Sequence, residues 1–558
     1  MWVLGVGGSN HDFSSALVHD GAIAVAIEDE RIQRVKNAEH DWHSHPGRDA
    51  AAYCMSAVGI AVEDLDGVFF SDDLERPSSW TDWARATAVN HHMCHAAAAY
   101  YTSYQPQSTL LVIDGHGGPL DQTESAWEVE TISVGFAEGT RLQMSLLQSG
   151  SQTKTSSSWQ YVTQNSIGWF YEIVTDAVGF GSEGHGKTMG LAAFGTPNFL
   201  AALREFAEIG PDGRFWFDPY SGIWDWLVST LRSSGNPFQV RADIAYAAQE
   251  IFGDAVVAAA KEAHRLAPSP ALSFGGGCAL NTLANSRILA ETPFEHLCVF
   301  PASGDNGLAV GAALYGAHAV LGEPRPARPA DWRARAVYTG RDLVDADIDA
   351  ALKRAPVFAE RPVELARSVA EALARGETVA VCRGGSEIGP RALGHRSLLA
   401  LPGSPRMRDH INLNIKQRES FRPLAPMVPI EDADTYFSGV IESPYMLLVA
   451  EVRPEHRERL GAVTHVDGTA RVQTVRCEDE PFLHRLLRCV GDATGLPVVL
   501  NTSLNRRGEP IVETPADALA LFVDRPIDVL VLGDRVVRKY SPWVANPALP
   551  GWQPQGMV

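Results

Sequence analysis

The sequence is first informative for what it lacks. Its seven cysteines, Cys54, Cys94, Cys278, Cys298, Cys382, Cys477 and Cys489, are odd in number and scattered. No C-x-x-C pair occurs, so neither a zinc knuckle nor a disulfide framework is expected, and a reducing cytoplasm is the expected location. No apolar run reaches the ~18 residues that a bilayer-spanning helix needs, and no membrane partner is expected. The opening "MWVLGVGGSNHDF" has no basic segment followed by a long apolar one, so it does not read as a signal peptide. Positive charge is scarce: 47 Lys and Arg stand against 67 Asp and Glu, a net charge of -20. That balance argues against a nucleic-acid-coating protein, although a local basic site is compatible with it. There is no P-loop either. "SEGHGKTMG" contains Gly186-Lys187-Thr188 but lacks the first Walker glycine at the required spacing.

What remains is a long, ordinary globular chain. Its 558 residues exceed one hydrophobic core, and 45% apolar with 20% charged residues is a soluble composition. "WVLGVGG" reads as a strand ending in glycines, and "SSALVHDGAIAVAIEDE" as a hairpin turning at Asp20-Gly21. The pattern returns near residue 110, where "STLLVIDGHGG" ends a strand in Asp-Gly and "ESAWEVETISVGF" follows as a further strand. Two such starts suggest a duplicated ribonuclease-H-like fold of the actin and sugar-kinase type; two unrelated strands are the other reading. "GLAVGAALYGAHAVLG" reads as a helix. Gly322–Arg335, with Pro324, Pro326 and Pro329, reads as an extended linker. This divides the chain into domains 1–336 and 337–558. In the second, Leu365, Val369, Ala372 and Leu373 form a helical stripe stopped at Gly376, "TVAVCRGG" reads as a buried strand, and the Pro-rich tail from Ser541 reads as irregular.

The stretch "NHHMCHAAAAYY" places His91 and His95 four residues apart. On a helix they share a face, as metal ligands do, or they are simply two polar surface residues. A metalloprotease of the H-E-x-x-H kind would have Glu at position 92, where this chain has His92. Asp114 ends the strand "LLVIDG", and Asp305 lies in the glycine-flanked "SGDNGLAVGAAL", where it also suits a helix cap. Two imidazoles and two carboxylates suit a borderline divalent ion: Fe(II), Mn(II) or Zn(II).

Glycines 275–277 follow the strand "ALSF" and allow either close approach to a phosphate or a tight turn. Asn281 then faces a ligand or caps the next helix. Glu183 and Lys187 hold ligand groups or form a surface pair. From Arg383 to Arg422 the sign of the charge reverses, which suits phosphate binding or a solvated basic face. Arg391, Lys416, Arg418 and Arg422 are the candidates there, with Arg471 from "VDGTARVQTV". Asn501, Thr502 and Ser503 directly follow a strand in "LPVVLNTSLNRRGEP".

The ordered set "NHHMCHAAAAYY", "VIDGHG", "SEGHGKTMGLAAFG", "SFGGGCALN" and "SGDNGLAVGAAL" resembles the NodU/CmcH-type O-carbamoyltransferases over nearly the whole chain. The resemblance implies an α/β protein: an N-terminal duplicated ribonuclease-H-like domain followed by a C-terminal YrdC-like domain. It implies that His91, His95, Asp114 and Asp305 bind a metal, usually taken to be iron. It also implies that Arg391, Lys416, Arg422, Arg471 and Asn501 lie where ATP, with Mg2+, and carbamoyl phosphate give carbamoyl-adenylate, and that the loop of Glu183 and Lys187 lines an adenylate site of the first domain. His11 then becomes the candidate base for a hydroxylated natural-product acceptor and Asp12 its orienting carboxylate, since "HDSSA"-like loops recur there; as turn residues they would do neither. A homodimer is compatible with this reading. The alternatives are a tRNA threonylcarbamoyl-type transferase and a non-catalytic actin-like nucleotide switch. A hydrogenase-maturation carbamoyltransferase would add an acylphosphatase domain and paired C-x-x-C motifs, which this chain lacks.

Overall fold

The computed structural model describes residues 1–9, 11–38, 48–72, 86–122, 126–154, 161–181, 184–232, 235, 237–439 and 442–540. Glu183 and the tail from Ser541 lie outside the described residues.

Strands Trp2–Gly7, Ser14–His19 and Ala22–Glu28 form an antiparallel meander, and Gly67–Ser71 and Ala86–Val89 extend it in parallel from its first strand. The spatial order is third, second, first, fourth, fifth. The second sheet repeats this order and these directions with Gln107–Ile113, Ala126–Glu138, Arg141–Lys154, Ala271–Gly275 and His296–Val299. The duplication expected from the two strand starts is therefore present in the topology. The first hairpin turns as its sequence predicts: Asp20 and Gly21 both have positive φ, 48° and 74°, the backbone twist that joins antiparallel strands through two residues.

Two helices, His91–Ser103 and Leu308–Tyr315, lie against one another between these sheets. Small residues set their approach. A Cβ on Gly311 would stand 1.8 Å from the Cys94 carbonyl oxygen, and one on Gly5 would stand 2.0 Å from that of Ala309. Ala96, Ala97, Ala98 and Ala99 are buried, so the alanine run reflects helix packing against crowded neighbours.

The second domain is built on an eight-stranded mixed sheet. Helices Leu365–Ala374 and Pro481–Thr494 pack together on one face of it, with Val369, Leu373, Leu483 and Leu487 in their shared core. Gly376 has φ 84°, the left-handed backbone expected at the helix stop. The linker differs from expectation in its second half. It is extended through its prolines, but Trp332–Val337 is a helix. These residues come after the last proline, and their alanines and arginines are good helix formers. Arg325 ties the extended part to the first domain by donating to the Gln105 carbonyl at 2.7 Å. Beyond the helix, Thr339 adds to the edge strand of the first sheet: Ala26 N–H donates to Thr339 O at 3.0 Å, and the Thr339 hydroxyl donates to Ala26 O at 3.0 Å. No described helix is long and apolar enough to cross a membrane.

Candidate active site

The histidine pair starts a helix, and the cap fixes where it starts. Asn90 Oδ1 accepts from Met93 N–H at 3.0 Å, while Asp72 Oδ1 accepts from His91 N–H at 2.8 Å. His91 and His95 then project from one face. Their Nε2 atoms are 3.0 Å apart and lie 3.1 and 3.0 Å from the same Asp114 oxygen. Asp305 Oδ1 stands 3.7 Å from both. One donor atom from each of the four side chains falls within 4.8 Å of all the others. Asp114 is oriented by its other oxygen, which accepts from Gly115 N–H at 2.7 Å and Gly277 N–H at 3.2 Å.

The electrostatics match a ligand set. Burial opposes charge on Asp114, but hydrogen bonds from His91 and His95 outweigh it and hold the carboxyl well below its ordinary range. Burial likewise opposes charge on His95, yet hydrogen bonds to Asp114 and Asp305 raise its pKa. Two imidazole nitrogens and two carboxylate oxygens are gathered at one point, and this mixed donor set fits a borderline divalent ion. His92 turns away, with Nδ1 2.7 Å from the Ser133 hydroxyl.

His11 lies in the loop after the first strand, its Nδ1 3.1 Å from Asp12 Oδ2. Its side chain is about one-third exposed, at 30%, and its charge is felt at Asp305. The expected base and orienting carboxylate are thus adjacent, beside the histidine–aspartate cluster.

The glycine loop has reasons internal to the protein. A Cβ on Gly275 would meet His95 Cβ at 2.9 Å, and one on Gly276 would meet the Ile113 carbonyl oxygen at 2.2 Å. Gly277 supplies the backbone N–H that holds Asp114. Of the two readings of Asn281, the structure displays the cap: Oδ1 accepts from Ala284 N–H at 3.1 Å, and the amide pairs twice with Gln249, at 3.1 and 3.0 Å. Lys187 stands on the helix His185–Ala192, whose Met189 meets Thr282 at 3.5 Å. Burial lowers its pKa, and its charged neighbours are Glu419, Arg422, Arg507 and Lys36. Phe180 and Phe421 meet at 6.0 Å beside it, so the Lys187 segment lies against the second domain.

The predicted cations of the second domain converge. Lys416 is buried and donates to Ser503 O at 2.6 Å, Ser503 Oγ at 2.9 Å and Asn505 Oδ1 at 2.8 Å. Burial, then Arg418 and Arg422, hold its pKa well below the ordinary lysine value. Burial and Arg422 bring Arg471 down to about 10. Burial and Arg471 lower Arg391, and burial with Arg422 and Arg471 lowers Arg418. Buried Nε atoms of Arg391 and Arg471 have no hydrogen-bond partner. Glu419 is the carboxylate at hand, 4.0 Å from Arg422. Four arginines and a lysine gathered with so little anionic compensation suit an anion.

Arg391 also reaches the first domain, donating to Leu280 O at 3.1 Å next to Asn281. Asn501 is buried, donating to Gln473 Oε1 at 2.7 Å and Ala392 O at 3.2 Å. Thr502 is a correction to the predicted trio. Within strand Val499–Ser503 alternation points it to the face opposite Asn501 and Ser503.

Asn505, Gln473 and Glu387 are neighbours of this site that sequence reading passed over. Asn505 stands two residues beyond the quoted Asn-Thr-Ser, and Glu387 stands inside "SEIGPRALGHRS". Their types carry no signal until the loops are folded.

Residues 78–314 match the model of the carbamoyltransferase N-terminus, and residues 370–539 match that of the carbamoyltransferase C-terminus. The chain is 33% identical to nodulation protein NolNO of Sinorhizobium fredii, over 95% of this chain and 79% of that protein. It is 40% identical to the 3'-hydroxymethylcephem-O-carbamoyltransferase of Amycolatopsis lactamdurans, over 47% of this chain and 48% of that enzyme. Among solved structures, full-length HypF in its phosphate- and nucleotide-bound form superposes with a TM-score of 0.40 at 13% identity, over 56% of this chain and 55% of HypF. A duplicated fold, a histidine–aspartate quartet in the region matching the N-terminal model and a cation cluster in the region matching the C-terminal one accompany these matches, and the chain belongs to the carbamoyltransferase family.

Proposed function

We propose that the chain is an ATP-dependent O-carbamoyltransferase with its two half-reactions divided between its domains. The observation that carries this reading is the cation cluster of buried Lys416 and partly buried Arg391, Arg418, Arg422 and Arg471. Such a cluster stabilises the oxygens of a polyphosphate and the charge that develops on pyrophosphate as it leaves. In the second domain water first cleaves carbamoyl phosphate to carbamate and inorganic phosphate, and a carbamate oxygen then displaces pyrophosphate from the α-phosphorus of ATP. The product, carbamoyl-adenylate, has AMP as a good leaving group. Asn501 and Ser503 shape the floor of this site, and Lys187 approaches it from the first domain.

The second half-reaction belongs beside His11. Its Nδ1–H donates to Asp12, which leaves Nε2 as the basic nitrogen. Nε2 takes the proton of the acceptor hydroxyl as its oxygen attacks the carbamoyl carbon, and AMP leaves. His91, His95, Asp114 and Asp305 would hold a divalent metal, iron(II) first, with manganese or zinc as alternatives. Such an ion supplies Lewis-acid polarisation. The acceptor is the hydroxyl of a natural product, the kind of group that the name 3'-hydroxymethylcephem-O-carbamoyltransferase specifies for the relative. The reaction requires an intracellular pool of ATP, which places it in the cytoplasm.

The test is a reaction of the purified chain with ATP, Mg2+ and carbamoyl phosphate, followed by mass spectrometry across hydroxylated natural products. AMP and pyrophosphate with a carbamoylated acceptor are expected. ADP as the nucleotide product would exclude the adenylate route.

A further inference from the structure

The loop of residues 387–396, which presents Arg391, is held from both domains. Within the second domain the buried Glu387 carboxylate accepts from three backbone N–H groups of the loop: Leu393 at 2.7 Å, His395 at 2.8 Å and Arg396 at 3.2 Å. From the first domain come Glu28, at the end of an edge strand, and Arg31. Glu28 Oε1 accepts from Gly389 N–H at 2.6 Å, and Arg31 Nη2 donates to Gly389 O at 2.7 Å. Both peptide groups of one glycine, two residues before Arg391, are thereby taken by the other domain.

The fit around that glycine is tight. Gly389 has φ 99°, and a Cβ there would stand 2.7 Å from the Pro301 carbonyl oxygen. Pro301 begins the loop that carries Asp305. Asn306, beside Asp305, donates to the same Glu28 oxygen at 3.4 Å. Arg31 and Arg396 are the largest fully buried side chains among the described residues, and Glu28, Glu387 and Glu513 are buried with them. Such a network is worth little net stability, but breaking it by removing one partner costs several kcal/mol. Its use is therefore to fix geometry.

We infer that Glu28 and Arg31 are positioning residues that clamp Gly389 and so hold Arg391 in register with the bound nucleotide. They act through the loop and touch no substrate. The nucleotide part rests on the function proposed above; the clamp itself does not.

The test uses the full chain with Arg31→Met, Arg31→Lys and Glu28→Gln, the lysine variant serving if the methionine one does not fold. ATP–Mg2+ affinity is measured by calorimetry, and hydrogen exchange is followed peptide by peptide. Loss of the guanidinium fork is expected to weaken ATP roughly tenfold to a hundredfold and to speed exchange selectively over 387–396. Glu28→Gln keeps an oxygen for Gly389 N–H and is expected to behave as wild type in both readouts. Unchanged ATP affinity and exchange in a folded Arg31 variant would overturn the clamp. So would exchange that rises evenly along the chain, since that is loss of stability alone. If the wild-type chain binds no ATP, the nucleotide reading has failed, and exchange over 387–396 still decides the clamp.

Discussion

At the scale of single residues, the donor quartet makes the sharpest demand. His91→Ala removes one imidazole from a buried set and leaves Asp114 with less to offset its charge. Bound divalent metal, measured by elemental analysis, and carbamoyl transfer are expected to fall together, by at least about tenfold. Lys416→Ala acts on the other half-reaction. Pyrophosphate release is expected to stop, while carbamoyl transfer from pre-made carbamoyl-adenylate continues; loss of both would contradict the division of labour. Glu28 adds a pH effect. Burial pushes its pKa up to about 7 from 4.5, although Arg31 opposes the shift. Between those values the folded chain binds a proton that the unfolded chain has released, so stability falls as pH rises through that window. Glu28→Gln is expected to lose this slope, by a few kcal/mol in the difference from wild type, in denaturant titrations at several pH values.

The same residues display what a sequence can disclose. His91 and His95 were legible because four-residue spacing means one face only on a helix, and the Asn90 cap makes the helix begin there. Asp114 was legible as a strand end. Asp305 remained equally a cap, because its nearness to the histidines depends on contacts across more than two hundred residues. Asn281 kept two readings for the same reason, and Thr502 failed because alternation separates neighbours that a sequence prints side by side.

At the scale of elements, close backbone packing carries the site. The Leu308–Tyr315 helix meets the histidine helix at Gly311, whose absent Cβ leaves room for the Cys94 carbonyl, one residue before His95. Gly311→Ala is expected to shift that helix, to destabilise the chain by about 1–3 kcal/mol in thermal unfolding, and to weaken metal binding. The first hairpin was readable from Asp20-Gly21, which dictates a turn, and the duplication from a second strand that ends in Asp-Gly before a further strand. The Trp332–Val337 helix was missed because proline density masked the six residues beyond it.

At the scale of the whole molecule, a chain of net charge -20 keeps a knot of partly buried positive charge around Lys416. The knot is costly until an anion fills it, so function and stability oppose one another there. Arg471→Met is expected to raise the unliganded melting temperature, by the equivalent of ~1 kcal/mol. It is also expected to abolish the further rise that ATP gives to wild type, ~2.7 kcal/mol at a hundredfold excess over Kd. Thermal shift with and without ATP checks both. The pairing of Ala26 with Thr339 and of Gly389 with Glu28 was not legible, since each rests on at least one backbone group, which leaves no trace in residue type.

The repeated sheet order has a consequence for where the chemistry sits. In each half, the loop after the first strand enters the central cleft. In one half that loop brings His11, in the other Asp114. His11 and Asp114 thus hold matching places in the two halves, each in the loop after the first strand, so one repeated loop carries an imidazole beside Asp12 in one half and a carboxylate facing His91 and His95 in the other.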